Sequence, residues 1–139
     1  MSIKNFAIIG CGRIAQRHAE QAARVGRLVA VCDIVPERAK ALAQMYNASA
    51  YYKDEELLQR EHNIDIVAVC SPNGLHATHS IAALKAGSHV LCEKPLAINT
   101  EDAQLMIRAA KESGKQLFVV KQNRYNPPVA FLKNLIEQK

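Results

Sequence analysis

A doubly wound α/β fold, three layers deep around a mostly parallel sheet of six strands, is predicted by three features of the sequence. Short apolar runs alternate with helix-period segments from one end of the chain to the other. Each run is separated from the next by a stretch long enough for a crossover, and repeated strand, helix, strand order requires parallel pairing with right-handed connections. Glycines sit at the joints where a helical pattern gives way to a strand.

The first apolar run, Phe6-Ala7-Ile8-Ile9, leads through a glycine-rich turn into a helical pattern over residues 13–25. The second, Leu28-Val29-Ala30-Val31-Cys32, is followed by a helix over 36–46, with Pro36 suited to a first helical turn. Ala50-Tyr51-Tyr52 is a shorter and weaker strand, and a helix over 55–61 follows it. Ile66-Val67-Ala68-Val69-Cys70 precedes a helix over 78–86, and His89-Val90-Leu91-Cys92 a helix over 101–113. Thr100 before Glu101-Asp102 is expected to be the N-cap of that helix, with acidic residues against its dipole. Leu117-Phe118-Val119-Val120 is the last strand, and a helix over 129–138 ends the pattern. The five longer runs lack polar alternation and are expected to be buried on both faces. Gly26, Gly87 and Gly114 are placed for left-handed helix caps.

The 139 residues suffice for one domain and for a core that needs no disulfide or structural metal. No apolar run approaches the ~18 residues that span a bilayer, and no targeting segment is apparent, so the expected location is cytoplasmic, without a membrane. Lys and Arg number 18 against 13 Asp and Glu, a net charge of +5 with a pI near 9.1. The basic residues are scattered and few aromatics accompany them, which argues against nucleic acid and leaves an anionic small molecule as the natural partner. Cys11, Cys32, Cys70 and Cys92 stand at least 21 positions apart, so no pair has the spacing of a zinc knuckle or a redox dithiol. They are expected to be small buried hydrophobes, and no metal is expected.

In a parallel sheet, ligands bind beyond the C-terminal strand ends, at the switch point of the strand order. After the first strand stands Gly10-Cys11-Gly12-Arg13-Ile14-Ala15, a G-x-G-x-x-A between strand and helix. Gly10 permits the tight turn, Gly12 lets backbone N–H groups approach a pyrophosphate, and small Ala15 lets the helix pack closely on the sheet. Asp33, 23 residues beyond Gly10, closes the second strand where a carboxylate can accept from the adenosine ribose hydroxyls. These features point to a Rossmann-type dinucleotide-binding domain, and an Asp in that place favours NAD over NADP, with Arg38 as a nearby cation that could accept a 2′-phosphate. A methyltransferase-like glycine loop is the competing reading of the same motif.

After the fourth strand, Ser71-Pro72-Asn73-Gly74-Leu75-His76-Ala77-Thr78-His79 is polar and turn-rich, expected to line the cofactor through Ser71, Asn73 and His76. His76 and His79 are spaced for one helical face, yet no carboxylate or Cys nearby completes a metal site, and capping or packing is the alternative for His79. His18, His62 and His89 have no partner visible in sequence, and packing or solvent exposure is expected for them. After the fifth strand, Glu93-Lys94-Pro95 places Lys94 at the catalytic edge of the sheet, where a lysine can carry a proton or fix a substrate hydroxyl. A surface ion pair between Glu93 and Lys94 is the bland alternative. Lys121-Gln122-Asn123-Arg124-Tyr125-Asn126-Pro127-Pro128 is a run of hydrogen-bonding side chains at the same edge, a candidate ligand loop.

Together, Gly-Cys-Gly-Arg-Ile-Ala with the following His18, Asp33, Ser-Pro-Asn-Gly-Leu-His and Cys-Glu-Lys-Pro-Leu-Ala resemble the N-terminal half of the Gfo/Idh/MocA oxidoreductases. The resemblance covers nearly the whole chain, and the Glu-Lys-Pro box is its most specific element. It implies a NAD-dependent dehydrogenase acting on a secondary alcohol of a sugar, with Lys94 as the catalytic lysine and the peptide bond to the proline often cis. The cofactor-binding set is then Gly10 in the turn, Gly12, Arg13 and Ile14 at the pyrophosphate, Asp33 at the ribose, and Ser71, Asn73, His76, Glu93 and Gln122 near the nicotinamide. Phe118 to Arg124 is similar to the branch that oxidises C3 of UDP-N-acetylglucosaminuronic acid in surface-polysaccharide synthesis. Members of the family continue into a second domain that binds the sugar, supplies further catalytic groups and mediates oligomerisation. The expectation is therefore one cofactor domain over residues 1–139, lacking that substrate domain, inactive alone, and a homo-oligomer only with it. A noncatalytic dinucleotide-binding or redox-sensing module is the competing class.

Overall fold

The computed structural model describes residues 3–61 and 63–138. Six strands, β1 (Lys4–Ile9), β2 (Gly26–Cys32), β3 (Ser49–Tyr51), β4 (Ile66–Val69), β5 (His89–Cys92) and β6 (Leu117–Val119), form one sheet in the order β3-β2-β1-β4-β5-β6. Every neighbouring pair is parallel, so the sheet is wholly parallel where the sequence required it only to be mostly so. The order reverses between β1 and β4, which opens a crevice beyond their C-terminal ends.

Helices α1 (Arg13–Val25) and α2 (Pro36–Tyr46) cover one face, α3 (Asp54–Arg60), α4 (His76–Lys85) and α5 (Thr100–Ser113) the other, and α6 (Pro127–Glu137) follows β6. Strand side chains divide by alternation between two cores. Ile8, Val31 and Ala68 pack with Ala15, Ala19 and Leu42 of α1 and α2, whereas Ala7, Ile9, Val67, Val69 and Val90 pack with Leu57, Leu84 and Met106 of α3, α4 and α5. Three layers result, as predicted. Ala15 is fully buried, so the helix lies close against the sheet where the motif requires it.

Several local expectations are corrected. Gly26 is extended, with φ −170°, because β2 begins at that residue; a Cβ there would collide with the Lys4 carbonyl and the Phe6 ring of β1. Gly87 and Gly114 do adopt positive φ, 93° and 65°. Asn99 rather than Thr100 caps α5, its Oδ1 accepting from the Asp102 N–H at 2.7 Å. The α4 helix starts two residues early, at His76, because a 3-10 turn over Asn73–Leu75 feeds into it. The last strand is an edge strand with Phe118 56% exposed, against the expected burial on both faces. No helix among the described residues is long and apolar enough to cross a membrane.

Candidate functional site

The β1–α1 turn is built around Gly10. Its φ is +93°, and a Cβ would stand 2.6 Å from the Cys70 carbonyl carbon and the Ser71 nitrogen, so the end of β1 lies backbone to backbone against the end of β4. Gly12 differs: at φ −75° and ψ −170° it is the N-cap of α1, and a Cβ there would meet no protein atom within 4 Å. The helix has no side-chain cap, and the N–H groups of its first turn, from Arg13 and Ile14, lack partners within the helix. An open space above unpaired N–H groups at a helix N-terminus is the geometry that receives a phosphate anion, so the residues present fit the pyrophosphate of a dinucleotide.

Asp33 follows β2, and its carboxylate accepts from the Cys11 N–H at 2.7 Å through Oδ2 and from the Val35 N–H at 2.8 Å through Oδ1. It thus braces the glycine turn from the neighbouring strand, a role invisible in sequence, and each oxygen keeps a lone pair for a ribose hydroxyl. Arg38 is exposed on α2.

On the other side of α1 a cleft of about 890 Å³ opens beyond β4, β5 and β6. Eight of the expected residues line it: Arg13, Ile14, Ser71, Asn73, His76, Glu93, Lys94 and Gln122. Gly10, Gly12 and Asp33 lie outside its lining, in the adjoining turn. Of the expected ligand loop, Gln122 reaches the cleft, while Asn123, Arg124 and Tyr125 do not line it. Arg17, His18 and Gln21 line it without having been expected to. Their signal was helical spacing: positions 13, 14, 17, 18 and 21 form one stripe of α1.

His18 is the main correction. Its Nε2 lies 2.8 Å from Glu93 Oε1, with both side chains nearly buried, so a residue assigned no partner is paired across 75 positions of sequence. The other Glu93 oxygen, Oε2, accepts the backbone N–H of Lys94 at 3.1 Å. Glu93 therefore pairs with His18, not with the Lys94 ammonium, and the Lys94 side chain stands exposed on the cleft wall. The Lys94–Pro95 peptide bond is cis.

His76, 1% exposed, lines the cleft with its ring set between two backbone carbonyl oxygens, Nδ1 2.7 Å from that of Pro95 and Nε2 2.9 Å from that of Ser71, each of which can only accept from a ring N–H. It ties the β4 loop to the Lys94 loop from within the cleft lining. His79 Nδ1 is 2.8 Å from the Ser71 hydroxyl, and burial holds the ring's pKa below its usual value. His89 accepts the Gln116 N–H at 3.0 Å, a partner the sequence did not reveal. His62 lies outside the described residues. No cluster of three metal-ligating side chains occurs among the described residues. All four cysteines are free and buried. Burial pushes the Cys11 and Cys32 thiols up to about 12 and Cys92 to about 11, and raises Cys70 further still.

Comparison with known proteins bears on the family and the fold. The model of an oxidoreductase family with an NAD-binding Rossmann fold, Gfo/Idh/MocA, matches residues 4–121. D-glucoside 3-dehydrogenase of Escherichia coli is 41% identical over 114 residues, 80% of this chain and 32% of that protein. An inositol 2-dehydrogenase of Salmonella paratyphi B is 36% identical over 135 residues, 94% of this chain and 40% of that protein. The crystal structure of the WlbA dehydrogenase from Chromobacterium violaceum, in complex with NADH and UDP-GlcNAcA, superimposes with a TM-score of 0.93 at 41% identity, covering 99% of this chain and 40% of that one. The chain thus spans between about a third and two-fifths of the length of these relatives.

Proposed function

This chain belongs to the Gfo/Idh/MocA oxidoreductase family, of which it is an NAD-binding Rossmann domain, and from that premise we propose that it is the cofactor half of a dehydrogenase that oxidises a secondary alcohol of a sugar, C3 of a UDP-N-acetylglucosaminuronic acid-type nucleotide sugar. The observation that carries the reading is the position of Lys94, which leaves β5 on the wall of the cleft that begins at the N-terminus of α1. The nucleotide-sugar assignment is supported by the likeness to WlbA, whose structure holds NADH and UDP-GlcNAcA.

In this reading the N–H groups of Arg13 and Ile14 bind the pyrophosphate above Gly12, and Asp33 accepts from the adenosine ribose. Ser71, Asn73, Glu93 and Gln122 surround the nicotinamide end. NAD, when bound, supplies the hydride acceptor. Lys94 holds the substrate hydroxyl, and in its amine form takes the hydroxyl proton as the alcohol carbon gives up its hydride, so that the alcohol leaves as a ketone and the resulting ammonium passes the proton to solvent. The carbon must be held about 3–3.5 Å from its acceptor for this, and positioning supplies a large part of the rate. The cleft provides one wall of such a site; a substrate domain, of the kind the sequence resemblance implies, provides the other.

The test compares the 139-residue chain with a two-domain form of the protein. The chain alone binds NADH and turns over no sugar. The two-domain form reduces NAD with UDP-N-acetylglucosaminuronic acid far faster than with free glucose or inositol, and Lys94→Ala lowers its rate by about 10²–10⁴ with NADH affinity little changed. A free polyol as preferred substrate overturns the nucleotide-sugar assignment, and a near-full rate in Lys94→Ala overturns the role of the lysine.

A further inference from the structure

Lys94 is an exposed residue in a short loop, and a long flexible side chain on a loose loop would hold no hydroxyl in register. The loop is instead fixed from both flanks. On one side, His18 of α1 meets Glu93 Oε1 at 2.8 Å, and Glu93 Oε2 accepts the Lys94 N–H at 3.1 Å. On the other, His76 of α4 meets the Pro95 carbonyl at 2.7 Å and the Ser71 carbonyl at 2.9 Å. Beneath, the Glu93 N–H donates to the Val69 carbonyl at 2.9 Å.

We infer that His18 is a positioning residue for Lys94, acting through the Glu93 carboxylate, and that with His76 it forms a two-histidine clamp that aims the lysine into the cleft. The inference rests on the reading of Lys94 as the residue that meets the substrate hydroxyl.

The chemistry of the contact sets its direction. An ionised carboxylate can only accept, so the His18 Nε2–H donates, and Glu93 is left with one orientation in which Oε2 faces the Lys94 amide. A charge-assisted hydrogen bond between two nearly buried groups is stronger and shorter than one between neutral partners. Without the imidazole, the glutamate can rotate toward the cations that also line the cleft, Arg13, Arg17 and Lys94 itself. The lysine backbone then loses its acceptor. Glu93 thereby also has a reason to be an acid in a cleft whose other charged lining residues are the cations Arg13, Arg17 and Lys94: its two oxygens are taken up by the histidine ring and the backbone N–H rather than by the neighbouring ammonium.

The first readout needs neither cofactor nor turnover. In the 139-residue chain, the NMR spectrum of His18 shows the proton on Nε2, and a proton on Nδ1 alone overturns the inference. His18→Phe speeds hydrogen exchange of the Lys94 amide by about tenfold or more, His18→Gln, which keeps an N–H donor, restores it to within about threefold, and the amides of β4 stay as they are. Glu93→Ala produces the same change, and His18→Phe adds nothing to it, because both act on one path. Loss of protection throughout β4 and β5 means a packing role only and overturns the inference. The second readout uses the two-domain form: His18→Phe lowers kcat at least tenfold with NADH affinity within about twofold, and His18→Gln recovers most of it. Full activity in Lys94→Ala removes the underlying reading of the lysine. An inactive Lys94→Ala beside a fully active His18→Phe overturns the clamp alone.

Discussion

Two glycines two positions apart should respond to the same substitution in opposite ways. In Gly10→Ala the new methyl must enter a space bounded by the Cys70 carbonyl carbon and Ser71 nitrogen at 2.6 Å and the Cys70 carbonyl oxygen at 2.7 Å, all backbone, and at a φ of +93°. The left-handed conformation costs about 1–2 kcal/mol and forcing the strand ends apart about 1–3 more. The sum, roughly 2–5 kcal/mol, corresponds to a fall in Tm of roughly 6–20 °C for a domain of this size. Gly12→Ala meets no protein atom within 4 Å at a φ of −75°, so the fold loses only the small preference of glycine over alanine at an N-cap, under about 1 kcal/mol. Its methyl instead enters the open space at the head of α1, where the pyrophosphate is proposed to sit. Losing one charged hydrogen bond there costs about 1.5–3 kcal/mol, a weakening of NADH binding by roughly 10–100-fold. Thermal unfolding followed by circular dichroism and calorimetric titration with NADH read the two effects separately. A Gly12→Ala protein that binds NADH normally, or one that melts as early as Gly10→Ala, would refute the assignment of the pyrophosphate site.

Asp33 should fix both cofactor choice and turn geometry: the chain binds NAD(H) more tightly than NADP(H) by calorimetry, and Asp33→Ala both erases that preference and lowers Tm, because the Cys11 N–H loses its 2.7 Å acceptor in a buried place. Equal affinities for the two cofactors in the unmodified chain would defeat this assignment. The four buried thiols should react with a disulfide reagent at pH 8 only as fast as the chain opens. Because their folded-state pKa values lie above 9, the stability they carry is full below pH 9 and lost as pH rises toward 11–12, by about 1.4 kcal/mol at most per thiol at pH 10. Stability unchanged between pH 8 and 10 in chemical denaturation would contradict that sign.

What the sequence disclosed and what it withheld divide along range. The apolar run Phe6-Ala7-Ile8-Ile9, the Pro36 helix start, the glycine turn and Asp33 at the end of β2 are local signals, and each was read within a few residues of its final place. The misplaced cap at Asn99, one residue before Thr100, arose from two capping side chains in adjacent positions, between which local propensity does not choose. The pairing of His18 with Glu93 was beyond reach for a different reason. It joins α1 to the end of β5, so it exists only once β4 has inserted between β1 and β5. The double engagement of His76 by Ser71 and Pro95 and the bracing of Cys11 by Asp33 are of the same kind.

These long-range contacts share a feature that connects fold to chemistry. Apart from the His18–Glu93 pair, each runs between the C-terminal ends of neighbouring strands: Asp33 from β2 to the β1 turn, the Gly10 contact from β1 to β4, His76 from the β4 loop to the β5 loop. The sheet's own ladder stops at those ends, where backbone groups would otherwise be left to solvent and the loops free to move. Side-chain and close backbone contacts continue the tie across four successive strand ends, beyond the ladder hydrogen bonds. A crevice built in this way can keep open space and unpaired N–H groups at the head of α1 without losing its shape. The rigidity needed to aim Lys94 then comes from the residues that flank the cleft, and substitutions at the clamp should impair aim before they impair folding.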